Sequence, residues 1–272
     1  MTELVQKIGY EGYYVFSLVT LWVRYLFMAG LAYFFVWYVF RDKLKHRIIQ
    51  SRLPEKEKIY YELKYSALTL FIFAASGILV YWMKEQGWTL LYEKVSDYGV
   101  AYMVFSIVAL ILLHDTYFYW THRLMHHPLL FKKMHLTHHR STNPSPWAAF
   151  SFHPYEAVVE AGIIPLAALI LPMHSIALLV FFFYSNFLNV LGHLSFELFP
   201  KGFLDNKFLR WHNTTTHHNM HHRYFNCNYG LYFNIWDRLM GTNHPKYLET
   251  FREVTNRDPE EVSITDANTQ NA

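Results

Sequence analysis

HDTYFYWTHRLMHHPLLFKKMHLTHH, residues 114–139, carries an apolar helical run into seven histidines. The run begins near Tyr98 and meets no breaker until Pro128, so one helix brings His122-x-x-x-His126 to its end. His135-x-x-His138-His139 follows at once, and His218-x-x-His221-His222 in HHNMHH repeats its form. On a helix, positions i, i+3 and i+4 share a face, so each cluster can aim its imidazoles at one point. Neutral imidazoles gathered in this way suit a metal centre. Structural zinc takes only four ligands, so eight histidines imply two metals.

Outward from these clusters, the helical period places Asp115, Tyr119, His122 and His126 on one face. Asp115 and Tyr119 are therefore candidates to support the site, Asp115 by orienting a ligand histidine or walling a polar pocket. His114 falls on another face and is expected to pack between helices. His193 follows Gly192 in NVLGH, where glycine permits close backbone approach, and is a ninth candidate ligand. His212 and His217 point elsewhere on their segments, His153 is placed to cap or orient, and His46, His174 and His244 read as surface or loop residues.

The rest of the chain reads as a membrane protein. Of 272 residues, 53 % are hydrophobic and 19 % aromatic, high for a soluble domain. A first span covers roughly 13–40, interrupted by Arg24, a second 66–83, and the third begins near residue 98. Two shorter apolar runs, 157–171 and 175–191, flank Pro172 and suggest a hairpin into and out of the bilayer. Lysines and arginines crowd the loop from Arg41 to Lys64, which the positive-inside rule assigns to the cytoplasm, with the N-terminus outside. Every histidine cluster then falls on the cytoplasmic side. The expected fold is all-α: an integral membrane bundle of about four spans or embedded helices, under a histidine-rich cytoplasmic cap that holds a dimetal site. Three units are expected: a scaffold over 1–97, a catalytic region over 98–250, and a polar, disordered tail over 251–272. No cleavable signal peptide or retrieval motif is evident, which favours a bacterial inner membrane over the endoplasmic reticulum.

A net charge of +3 gives no footprint for nucleic acid. The single cysteine, Cys227, excludes an intrachain disulfide framework and a cysteine-held iron–sulfur cluster, and reads as a buried small residue. No GxGxxG for flavin or nicotinamide is present.

DTYFYWTHRLMHHPLLFKKMHLTHH, SFHPYE, NVLGH and HHNMHHRYFNCNYGLYFNIWDRLMGT, taken in order, closely resemble the fatty acid hydroxylase/sterol desaturase superfamily over about residues 98–243. The last stretch is most similar to sterol C5-desaturases and their bacterial relatives. The resemblance implies a non-haem site with two iron ions, which zinc can replace in a purified protein, and O2 as co-substrate. The product would be a hydroxylated or desaturated carbon of a membrane lipid: sterol, fatty acyl or related. By resemblance the ligands are His122, His126, His135, His138, His139, His218, His221 and His222, with His193 beside them. Electrons would come from a separate ferredoxin, cytochrome or reductase, for which the basic residues Lys132, Lys133, Arg140, Arg210 and Arg223 offer a docking face.

Two other readings compete. A membrane zinc hydrolase would use the same histidines but needs a general base near an open metal position, and no HExxH is present. A metal transporter should carry its ligands near mid-membrane, whereas these gather at one side.

Overall fold

The computed structural model describes residues 2–260. Four of its helices are long and apolar enough to cross a membrane: Lys7–Val39, Lys56–Glu85, Gly99–Met125 and Ser175–Gly192. In chain order, α1 (Thr2–Ala32) continues as a π-helical segment, Tyr33–Val39; α2 is Lys56–Glu85 and α3 is Gly99–Met125. Two short helices, α4 (Pro128–Met134) and α5 (Leu136–His139), are followed by α6 (Pro154–Ala161) and α7 (Ile163–Ile170). The fourth long helix is α8 (Ser175–Gly192), and α9 (Thr215–Tyr224), α10 (Ile235–Leu239) and α11 (Tyr247–Asn256) complete the chain.

The long helices are apolar on their outward faces as well as their inward ones. Val15, Val19, Val23 and Phe27 form an exposed stripe on α1; Val100, Val104, Val108 and Leu112 form one on α3; Leu179, Phe183 and Phe187 form one on α8. A four-residue step keeps each set on one side of its helix. Lipid can cover such stripes where water cannot, and each helix satisfies its own backbone hydrogen bonds. Between the helices, Tyr25, Ala29, Leu70, Ala149, Phe150, Phe152 and Val190 close the core.

Alternation of the spans sets which groups meet. At the end opposite the histidines, Tyr10 and Tyr13 of α1 pack on Tyr81 of α2, and Tyr10 hydrogen bonds to Glu85. There β1 (Leu91–Tyr92) pairs in parallel with β2 (Met173–His174). At the histidine end, the π-helical segment turns Trp37 inward, where its indole donates to the Leu194 carbonyl at 2.9 Å. Lys58 at the start of α2 donates to the Arg140 carbonyl, and Gln50 donates to the carbonyl of Thr142 and to Asn219. The basic loop and the histidine segments therefore share one end of the bundle.

The structure departs from the sequence reading at the C-terminal side. Residues 251–256, assigned above to a polar tail, end α11, with Phe251 and Val254 buried against the cap. Phe251 packs with Leu204, Met220 and Tyr247, a spaced apolar set that composition alone hides. Residues 261–272 lie outside the described residues.

Candidate metal centre

The histidines arrive from four places. His122 lies in the last turn of α3 and His126 caps it; Pro128 then starts α4, and His135 sits between α4 and α5. His193 follows the last residue of α8, and His218, His221 and His222 belong to α9. α9 packs closely on Gly192, but a Cβ there would lie 3.4 Å from the His218 ring, an ordinary van der Waals contact, so the approach does not require glycine.

All nine candidate ligands are brought together, in two groups. His122, His126, His135, His139 and His221 form one; His138, His193, His218 and His222 form the other. The clusters do not each aim at a single point, as their spacing suggested. Within HxxHH the i, i+4 pair stays together while the i+3 histidine joins the other group. Adjacent helical residues point about 100° apart, so His138 and His139 diverge, as do His221 and His222. Each HxxHH cluster therefore spans both groups, whereas His122 and His126 stay together in the first.

Within the groups the Nε2 atoms face one another. In the first, His122–His135 is 2.9 Å, His126–His139 3.1 Å and His139–His221 3.0 Å. In the second, His138–His193 is 3.4 Å, His193–His218 3.1 Å and His218–His222 3.1 Å. Nitrogens about 2.0–2.1 Å from one metal, at angles between square and tetrahedral, lie roughly 2.9–3.4 Å apart. The spacing therefore fits one metal ion per group.

Most of the opposite ring nitrogens are held, although the buried Nδ1 of His139 has no partner. Nδ1–H of His122 donates to the Tyr229 carbonyl (2.8 Å), His193 to Asn189 (2.7 Å), His221 to Cys227 (2.7 Å) and His222 to Ser141 (2.8 Å). A carbonyl only accepts, so each Nδ1 carries the proton and each Nε2 keeps its lone pair. His135 Nδ1 instead meets the Glu156 carboxylate at 2.7 Å. Burial, reinforced by neighbouring imidazoles, pushes His135, His138, His139, His218, His221 and His222 well below the ordinary histidine range. Burial lowers His193 to about 4. The same burial, with Glu160 nearby, raises Glu156 well above the carboxylate range. The imidazoles are thus neutral, the form that binds metal. A cation on the His135 Nε2 would favour the Glu156 anion and reverse that shift.

The loop that supplies two of these carbonyls is built for the purpose. Phe225 and Asn228 adopt positive φ, and Asp237 accepts from the backbone of Tyr229 and Gly230 and from the Thr242 hydroxyl, each at 2.7–2.8 Å. A Cβ on Gly230 would lie 2.4 Å from the Phe233 carbonyl oxygen, so no larger residue fits. Burial alone would raise Asp237, but His217, Thr242 and Gly230 outweigh it and hold the carboxyl at about 2.

The remaining predicted residues sit around this core. Asp115 accepts from the backbone of Tyr232 and Phe233, and Tyr119 pairs with Thr242, so both brace the 229–242 segment rather than an imidazole. His114 bonds Tyr232, in the loop before α10, at 2.8 Å and packs against Phe181 of α8. His217 lies 3.5 Å from Asp237, His212 bonds the Asn213 carbonyl, and His153 caps α6. His174, expected at the surface, is buried at the far end, where it caps α8 and bonds the Glu93 carbonyl. Glu156 is not among the residues singled out from the sequence; its place in FHPYE, three residues after a capping histidine, is the available signal.

A family model described as fatty acid hydroxylase matches residues 107–242. The chain belongs to the fatty acid hydroxylase family. Among the curated relatives of this family member is the Delta(7)-sterol 5(6)-desaturase ERG3B of Gibberella zeae, 30 % identical over 80 % of this chain and 64 % of that protein. The Aspergillus fumigatus Delta(7)-sterol 5(6)-desaturase erg3C is 32 % identical over 80 % of this chain and 71 % of its own length. The human lathosterol oxidase is 27 % identical over 81 % and 71 % respectively. This family member thus spans a little under two thirds of the Gibberella protein. No solved structure matches it.

A cavity of about 200 Å³ lies between α1, α2, α3, α6, α7 and α8; none of the nine candidate ligand histidines lines it, but two of its aromatic residues pack on them. Phe118 and Phe152 wall it on the inner side. Phe118 also stacks near His122 of the first group, and Phe152 near His138 of the second.

Proposed function

We propose that this multi-pass membrane protein is an O2-dependent oxidoreductase that hydroxylates or desaturates an unactivated carbon of a membrane lipid, at a histidine-held pair of iron ions. The carrying observation is the pairing of two metal-spaced histidine groups with a largely apolar cavity whose Phe118 and Phe152 pack on one histidine of each. Sterols lead the candidate substrates, because the relatives' names specify sterol oxidation.

His122, His126, His135, His139 and His221 would hold one ion, and His138, His193, His218 and His222 the other. Iron bound in this way supplies O2 activation and the one-electron steps that a strong C–H bond demands. The chain's own residues do the rest. Backbone carbonyls and Glu156 fix the imidazoles with Nε2 forward. The apolar cavity draws a lipid from the bilayer and presents its carbon at the Phe118–Phe152 wall, and burial of the site keeps bulk water out. Electrons come from a separate protein, docked on the exposed basic residues at the histidine end, among them Lys132, Lys133, Arg140, Arg210 and Arg223. That end faces the cytoplasm, since the bundle's basic loops gather there.

The zinc hydrolase reading loses ground to a specific contact. Glu156 meets His135 through Oε1 on the Nδ1 side of the ring, opposite the Nε2 that faces the other histidines, so it is not placed beside an open metal position to activate water. The deciding experiment is elemental mass spectrometry of the purified protein grown with iron, followed by lipid product analysis with O2 and a reductant. Near two irons per chain and an oxidised lipid are expected. A folded preparation without stoichiometric metal, or iron-loaded protein that hydrolyses lipid esters without consuming O2, would overturn the proposal.

A further inference from the structure

The cavity is apolar over most of its wall, yet three polar side chains reach it without partners. Asn186 of α8 is 2 % exposed, and neither its Nδ2 nor its Oδ1 has a hydrogen-bond partner. Glu160 of α6 is buried with Oε1 unpartnered. Arg24 of α1 has a buried, unpartnered Nε, and its guanidinium lies over Phe182 at 5.1 Å. An unpaired buried polar group costs about 1–3 kcal/mol, so a core that only had to pack would carry leucine at position 186. These three come from three different helices and line one cavity, which makes a chance orphan a poor explanation.

We infer that Arg24, Asn186 and Glu160 form a specificity subsite that anchors the hydroxyl of a lipid alcohol inside the cavity. The inference rests on the oxidoreductase reading only for the fate of the lipid, not for its binding. A hydroxyl both donates and accepts, so it can take a hydrogen bond from Asn186 Nδ2 or Arg24 Nε and give one to Asn186 Oδ1 or Glu160 Oε1. A carboxylate accepts only and would leave Asn186 Oδ1 without a donor. An unsubstituted hydrocarbon would leave all the polar atoms unpaired.

Position follows from the helix. Asn186 precedes His193 by seven residues, about 10 Å of α-helical rise. The subsite therefore lies about two turns along α8 from His193, which sets the axial part of the separation between the hydroxyl and the carbon presented to the metals. The subsite would choose the lipid and set which carbon reaches the centre.

The test is equilibrium binding to the full-length, metal-containing protein in detergent, held without reductant so that nothing turns over. The probes are lathosterol, hexadecanol, the O-methyl ether of each, and hexadecanoic acid. Wild type should bind at least one alcohol tenfold or more tighter than its ether. A preference for lathosterol assigns the hydroxyl to a fused-ring lipid, and a preference for hexadecanol to a linear one. Asn186→Leu should shrink the alcohol-to-ether ratio to within twofold while its thermal midpoint stays level or rises, because an unpartnered amide is replaced by a shape-matched apolar group. Should that variant fail to fold, Glu160→Gln serves as the second probe, with the same ratio expected to fall at least threefold. Equal affinity of wild type for alcohol and ether would overturn the subsite. So would a ratio unchanged in both variants, tighter binding of the acid than of hexadecanol, or no binding of either alcohol to folded protein. Selective binding without any product under O2 and reductant would instead sink the oxidoreductase reading and leave the subsite in place.

Discussion

Each adjacent histidine pair, 138–139 and 221–222, is divided between the two groups, so single substitutions should act on one metal and not on the other. His221→Ala takes a ligand from the five-histidine group and His138→Ala takes one from the four-histidine group, where fewer ligands remain. Metal content should fall from near two ions per chain toward one in either variant, more completely for His138→Ala, with activity lost in both. Full metal retention by both variants would remove them from the ligand set. Glu156 permits a finer test. Glu156→Gln keeps an acceptor for the His135 Nδ1–H but removes the charge that balances a bound cation. Loss of such an outer partner typically costs ten- to a hundredfold in metal affinity or activity. Competition with a chelator should show a drop of about that size, and unchanged affinity would mean that Glu156 serves packing alone.

At the scale of elements, the segment from α9 to α10 matters through its backbone. The Cys227 and Tyr229 carbonyls hold His221 and His122, and Asp237 holds the loop that presents them. Asp237 has a folded pKa of about 2, below its unfolded value of about 3.9. A depressed carboxylate stabilises the fold above its unfolded pKa, and that stabilisation disappears as pH falls through the folded value. The shift corresponds to roughly 2 kcal/mol. Asp237→Asn should therefore lower the thermal midpoint at pH 7, and the gap to wild type should narrow between pH 4 and pH 2. A gap independent of pH would assign the loss to shape and not to charge. This element also shows where sequence reading stops. The spacing of histidines on α3, α5 and α9 was legible because helical period alone decides it. The spans were legible because lipid accepts apolar residues on every face. The carbonyl partners left no trace, since any residue can supply a carbonyl; only Gly230 and Asp237, inside the NYG and WDR stretches, record that the loop is constrained. The division of HxxHH across two groups follows from the same helical period, but it requires knowing that the targets lie on two sides of each helix. The cavity is built from residues on six helices and had no signal in any one of them.

Across the whole molecule, the chemistry lies at one end of the bundle and the opposite end is scaffold. His174 tests that division. It caps α8 and bonds the Glu93 carbonyl at the far end, beyond reach of both metal groups. His174→Ala should cost about 1 kcal/mol of stability, as a lost N-cap does, and leave metal content unchanged. Loss of metal there would contradict the topology. Orientation in the membrane rests on a different asymmetry. The loop joining α1 to α2 carries Arg41, Lys43, Lys45, Arg47 and Arg52, whereas the loop joining α2 to α3 sets Lys94 against Glu93 and Asp97. Anionic lipid and the membrane potential both favour keeping the first loop in the cytoplasm. The one native cysteine is buried, so an introduced cysteine reports its own position. In intact cells, a membrane-impermeant maleimide should label Ser96→Cys and spare Glu57→Cys, and both should react once the membrane is opened. The reverse pattern would put the histidine end outside, away from cytoplasmic electron donors, and would rule out the docking of a donor on its basic face.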